Sequence, residues 1–344
     1  MLKLKSMRKT LTSTNLGLVW FYIVIIIVFS MVSPIFRTGE NLRNILAAYS
    51  YIGIVAVGMA FPLLLGGIDL SVGSIMGLVA MVVFDATLLY HLPGWVAILA
   101  GLLTGILAGL FNAFLIVRVK LQPFIATLAT LTAYRGLTYA ISGRQINPEL
   151  TVVAIKDPLL LGIDGKVGQI PFVFIYLIVI VTVTMIFLRF TRPGINLYAV
   201  GGNLLAARLA GINVDRIKVL GYVLSGFFTA VAALVLTSRM GSTQEGLGQG
   251  LELSAIAAAV IGGVSLNGGI GNTFGAALGA FLIGTLSTGL ILVGVTGYAP
   301  QVVIGVVLLV AVGYDRFTIA RRKRKWLELQ HNDSVVIGSG AAQS

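Results

Sequence analysis

The chain has 344 residues, 57% of them hydrophobic and 10% charged, with a formal net charge of +12 and no cysteine. Soluble domains carry about 25% charged residues, so this chain cannot cover itself with polar surface. Disulfides, thiol nucleophiles and thiolate metal sites are excluded. The two histidines, His91 and His331, lie too far apart in sequence to suggest a histidine-centred metal site. The basic residues are spread over loops, and the cluster Arg321, Arg322, Lys323, Arg324 directly follows an apolar run. That placement reads as membrane topology and contact with anionic lipid rather than nucleic-acid binding.

Long apolar runs separated by polar or Gly/Pro breaks predict an all-α, polytopic membrane protein, since a closed barrel shows short alternating segments instead. Ten crossings are expected, at 16–35, 45–65, 69–90, 94–117, 123–141, 170–189, 217–238, 253–270, 272–293 and 299–316. The first follows Lys3, Lys5, Arg8 and Lys9 as a signal peptide does, but it is too long and lacks a small-residue cleavage site, so it reads as a retained helix. Between 45 and 90 the only break is Gly66-Gly67-Ile68-Asp69-Leu70-Ser71, and between 253 and 293 it is Gly262-Gly263 with Asn267-Gly268-Gly269. An unbroken helix over either stretch would be about 60 Å long, so the chain must reverse or break within the membrane.

With the N-terminus inside, one face receives Arg118 and Lys120, then Arg189, Arg192, Arg208, Arg216 and Lys218, then Arg316 and Arg321 to Lys325. The other receives Arg37, Arg43, Arg144, Lys156, Lys166 and Arg239. This asymmetry predicts that both termini are cytoplasmic. Residues 1–316 then form a single transmembrane domain with a cytoplasmic loop at 191–217. Residues 317–344 form a basic, partly disordered cytoplasmic tail.

In Gly66-Gly67-Ile68-Asp69-Leu70-Ser71-Val72-Gly73-Ser74, the paired glycines allow a tight reversal, and Asp69 or Ser71 is placed to cap the next helix. A structural cap is favoured over ligand contact. A looser copy at Gly262-Gly263-Val264-Ser265-Leu266-Asn267-Gly268-Gly269 is either a relic of duplication or a second turn of the same kind. In the inner loop, Asn203 reads as an N-cap, Leu204 to Ala210 as a helix of about two turns, and Gly211 as its left-handed end. Two ionisable residues fall inside spans, Asp85 and Arg135; they either form an ion pair or snorkel to the outer surface. No Gly-x-x-x-x-Gly-Lys-Ser/Thr, Ser-x-x-Lys or His-Glu-x-x-His stretch occurs, so neither a phosphate cradle nor an enzyme's chemistry is visible.

The hallmark segment Gly66 to Ser74 is followed in order by three others. These are Gln122-Pro123-Phe124-Ile125-Ala126-Thr127-Leu128 through Arg135-Gly136, Tyr198-Ala199-Val200-Gly201-Gly202-Asn203 through Ala207 to Ile212, and Leu251-Glu252-Leu253-Ser254-Ala255-Ile256-Ala257-Ala258 through Gly262-Gly263. Together they resemble the permeases of bacterial ribose-type monosaccharide ABC importers, over nearly all of residues 16–316. The resemblance implies a non-catalytic subunit that translocates a ribose-like sugar across the inner membrane. It implies separate ATPase subunits that bind ATP and Mg, a second permease chain (identical or homologous), and a periplasmic or lipid-anchored sugar-binding protein. This chain itself would bind no cofactor and no metal. The helix at Asn203, Ala206, Ala207, Arg208, Leu209, Ala210 and Gly211 would dock on the ATPase, with Arg208 in polar contact and the small residues permitting close approach.

Uncharged sugars need hydrogen-bond partners, and Asn112, Thr127 and Thr130 are candidates for lining the path, with helix packing as their other role. The alternatives keep the ABC class with a nucleoside, a furanosyl signal molecule or a branched-chain amino acid as cargo, or replace it with an ion-coupled secondary transporter. The near-absence of Asp, Glu and His from the central stretches counts against the last.

Overall fold

A computed structural model describes residues 2–142 and 153–295 and the isolated positions 302, 303, 305, 306, 309 and 313, with side chains from Leu16 onward. The tail at 317–344 lies outside the described residues, as does all but a few isolated positions of the crossing expected at 299–316. In chain order come α1 (Leu2–Val32), α2 (Gly39–Leu64), α3 (Val72–Leu88), α4 (Gly94–Val117) and α5 (Pro123–Ser142). A connecting stretch follows with β1 (Val153–Ala154), α6 (Pro158–Leu161), β2 (Lys166–Val167) and β3 (Ile170–Pro171). The remainder is α7 (Phe172–Phe190), α8 (Arg192–Gly202), α9 (Leu204–Leu209), α10 (Val214–Met240), β4 (Ser242–Thr243), α11 (Leu251–Ile261) and α12 (Thr273–Leu292).

Five of these helices, α2, α4, α7, α10 and α12, are long and apolar enough to cross a membrane, and Leu16–Val32, α3 and α11 are shorter apolar helices. The protein is a helical, multi-pass membrane protein. Both expected breaks are present: α2 ends at Leu64 and α11 at Ile261, each before a glycine-rich reversal. The run at 253–270 is therefore not one helix. Gly263, Gly268, Gly269 and Gly271 all have positive φ, a region in which a helix cannot continue. The helix starts are set by side-chain caps. Thr38 accepts from the Asn41 amide at 3.2 Å, Asn213 from Arg216 at 3.0 Å and Asn272 from Gly275 at 2.7 Å, each satisfying an orphan donor.

The buried centre is α2, whose residues from Ile54 to Leu64 are inaccessible along almost their whole length. Around it stand α7, α10, α11 and α12. Helices touch where glycine removes the side chain: a Cβ on Gly226 would run into the Gly105 carbonyl of α4, and one on Gly279 into the Ala258 carbonyl of α11. Such backbone contact replaces the hydrophobic drive that lipid cannot supply. Outward, α4 exposes Leu99, Leu103 and Leu107, and α7 exposes Val179, Val183 and Ile186, apolar surface suited to acyl chains. At one end of the bundle, β1 pairs antiparallel with β4 (Val153 opposite Thr243) and β2 with β3, while Arg43 donates to Gln169 at 2.7 Å. At the other end lie α8, α9 and the start of α10.

Candidate functional site

The hallmark turn between α2 and α3 is tied into a buried polar cluster. Asp69 is fully buried; its Oδ1 accepts from the Ser71 amide at 3.1 Å, the Ser71 hydroxyl at 2.6 Å and the Asn112 amide at 3.4 Å. Its Oδ2 accepts from the Ser225 hydroxyl of α10 at 2.8 Å. Asn112, on α4, also donates to Ser71 Oγ at 2.8 Å, and the Tyr134 hydroxyl of α5 donates to the Ala108 carbonyl at 2.9 Å beside it. The Thr127 hydroxyl reaches the Ile68 carbonyl at 3.1 Å and the Pro123 carbonyl at 2.9 Å. A carboxylate held away from water requires donors of this kind, and here they come from the turn itself and from two further helices.

The structure thus joins two groups of residues that the sequence kept apart, the hallmark turn and the path candidates. Asn112, Thr127 and Thr130 are all buried within the chain, and Thr130 donates to the Thr127 carbonyl at 3.2 Å. Ser71 stands at the N-cap of α3 without capping it by its side chain. Its φ of −80° and ψ of −7° are helical rather than extended, and its hydroxyl turns to Asp69 instead. Gly66 has φ +75°, and Gly67 lies against the Tyr222 ring hydroxyl and Pro123, where a Cβ would not fit.

Arg135, half-buried on α5, donates to the carbonyls of Glu245 at 2.8 Å, Leu247 at 2.9 Å and Gly73 at 3.1 Å. Its guanidinium joins the start of α3 to the 242–250 segment. Alongside, the Ser142 hydroxyl donates to the Glu245 carboxylate, and Gly73 packs against the Gly248 carbonyl and the Glu252 side chain. The hydrogen bonds described for Arg135 run to backbone carbonyls rather than to Asp85, which sits partly buried in the last turns of α3.

In the loop expected at 191–217, Asn203 accepts from the Ala206 amide at 2.9 Å and starts a six-residue helix, α9. Ala210 closes it, and Gly211, with φ +78°, gives its amide to the Arg208 carbonyl at 3.0 Å. Leu205 and Leu209 are 68% and 83% exposed and flank the exposed Arg208, whereas Ala207 is turned inward. Ala206, Ala210 and Gly211 are exposed with them. Asn203 is at once the C-cap of α8 and the N-cap of α9, so no free linker separates the two.

The C-terminal end of α8 meets both glycine breaks. A Cβ on Gly201 would collide with the Leu64 carbonyl and lie 2.7 Å from the Gly269 amide nitrogen. The Gly269 amide donates to the Leu64 carbonyl at 2.8 Å, and the Tyr198 hydroxyl donates to the Gly271 carbonyl at 2.8 Å. Ser225, Tyr134, Tyr198 and Gly201 were not singled out as site residues by the sequence. Tyr134, Tyr198 and Gly201 fall within the segments that carry the family resemblance, the signal that could have found them, whereas Ser225 lies outside those segments.

A family model described as branched-chain amino acid transport system / permease component matches residues 41–312. The ribose import permease protein of Haemophilus influenzae is 39% identical over 297 residues, covering 86% of this chain and 91% of that protein. That of Bacillus subtilis is 39% identical over 293 residues, covering 85% and 90%. The L-arabinose transport system permease protein of Escherichia coli K12 is 38% identical over 306 residues, covering 88% and 90%.

Proposed function

The chain belongs to the family of permease components of branched-chain amino acid-type transport systems, and from that premise we propose that it is the membrane permease of a bacterial ATP-binding-cassette importer for a pentose such as ribose. The observation that carries the cargo is the similarity at nearly equal identity to a ribose permease (39%) and an L-arabinose permease (38%) over almost the full length of each. That equality supports the class, a pentose, more than any one member of it.

The exposed α9, with Leu205, Arg208 and Leu209 on its surface, supports a docking contact with a separate ATPase subunit that carries ATP and Mg on the cytoplasmic side. The opposite end, with its strands and the 153–171 stretch, is then the face for a periplasmic or lipid-anchored sugar-binding protein. A second permease chain, the same or homologous, completes the path in the inner membrane. Asn112 and Thr127 act on that path from behind its wall, by fixing the hallmark turn to α4 and α5, while Thr130 bonds the Thr127 carbonyl within α5. Three backbone carbonyls already accept from the Arg135 guanidinium and solvate it, a role that snorkelling to the outer surface would otherwise leave to water.

The test is uptake of labelled ribose into proteoliposomes that contain this chain, its ATPase and its binding protein. We expect accumulation that depends on ATP and survives collapse of ion gradients. Accumulation without ATP that vanishes with an ion gradient would make the chain a secondary carrier. Uptake of leucine in place of pentose would overturn the cargo and keep the class.

A further inference from the structure

We infer that Gly201 and Tyr198 are positioning residues that carry the displacement of α9 directly into both glycine breaks, so that the two broken-helix units move together. This rests on the reading that α9 docks on an ATPase. The case begins at Asn203, which ends α8 and starts α9 with no residue between them. A movement imposed on α9 therefore moves the end of α8.

That end is seated on the reversal points of the two units, α2–α3 and α11–α12. Gly201 lies in backbone contact with the Leu64 carbonyl and with Gly269, and a Cβ on Gly268 would lie 2.8 Å from both the Gly66 nitrogen and the Gly201 carbonyl. The breaks are also joined to each other, through the Gly269 amide on the Leu64 carbonyl at 2.8 Å. Backbones in contact leave no compressible side-chain layer to absorb a shift. Tyr198 adds a directional link, its hydroxyl holding the Gly271 carbonyl at 2.8 Å.

The first break leads on to Asp69, whose ties to Asn112 and Ser225 reach α4 and α10. The breaks are also where regular helix gives way to turns, the places where a hinge absorbs φ/ψ change. Spatial intermediacy alone does not prove coupling, so the readout has to be a coupling ratio.

The experiment measures pentose taken up per ATP hydrolysed by the reconstituted complex of this chain with its ATPase and binding protein. Tyr198→Phe deletes one hydroxyl and no volume; Gly201→Ala adds the colliding methyl. Gly202→Ala is the matched control, since a Cβ there meets nothing within 4 Å. We expect Tyr198→Phe to lower the ratio by about fivefold, the scale of a modest coupling energy. The ATPase stays bound, and Gly202→Ala leaves the ratio unchanged.

An unchanged ratio in Tyr198→Phe overturns the inference. Loss of the ATPase from that complex overturns it too, since the residue then serves docking. Should Gly201→Ala fail to assemble, Tyr198→Phe decides alone. An unmodified complex without ATP-driven uptake would instead overturn the proposed function.

Discussion

Asp69 is fully buried within the chain, and its two oxygens have donors on α4, on α10 and in its own turn. Asp69→Ala leaves the Ser225 and Ser71 hydroxyls without the acceptor they share and removes the longer of the two Asn112 amide bonds. The expected loss is about 3 kcal/mol of stability, against about 1 kcal/mol for Ser225→Ala, because a partner removed from a buried cluster strands every group that it served. Thermal unfolding of the detergent-solubilised protein measures both, and equal losses would show that the carboxylate is not the hub. Part of this cluster was legible. Asp69 and Ser71 stand in a recognisable motif, and Asn112 is a polar residue inside an apolar run. Ser225, 156 positions beyond Asp69, was not. A lone hydroxyl in an apolar helix reads the same whether it bonds its own backbone, as Thr229 does with the Ser225 carbonyl, or a distant carboxylate.

At the scale of elements, hydropathy located the helices α4 and α5 to within a residue and α7 and α12 to within two, because these runs are apolar throughout and bounded by proline, glycine or charge. It overran at α11. A count of apolar residues does not register that Gly262 and Gly263 end a helix before the run itself ends. The two-residue ladder of β1 with β4 was invisible too, since its partners lie about 90 positions apart and carry no periodicity long enough to detect.

The α4–α10 contact depends on Gly105 and Gly226 meeting backbone to backbone. Gly226→Leu forces the helices apart and is expected to cost about 3 kcal/mol, the upper part of the range for overpacking. Loss of a monodisperse peak in size-exclusion chromatography checks it, and a normal peak with unchanged melting would show that the crossing tolerates side chains. In α9, Asn203→Ala removes the cap of a six-residue helix that has little else to stabilise it. A loss of about 1 kcal/mol, the usual worth of a cap, is expected to weaken ATPase binding roughly fivefold in a pull-down titration. A cap of no consequence would leave that affinity unchanged.

For the molecule as a whole, the arrangement depends on which end faces the cytoplasm, and the absence of cysteine makes that directly measurable. Leu205→Cys, on α9, is expected to react with a membrane-impermeant maleimide only in inside-out vesicles. Lys166→Cys, on β2, is expected to react from the outside of intact cells. Labelling of Leu205→Cys from outside would invert the topology and remove the ATPase from its place. The two glycine breaks, similar in sequence, also meet in space, Gly66 lying against Asn267. One contact at the far end bears on how freely the 242–250 segment can vary. The staple over the 242–250 segment pairs a guanidinium, a planar fork of donors, with three main-chain carbonyls. Because it grips main chain rather than side chains, exchanging the residues at 245 and 247 would leave this fastening in place.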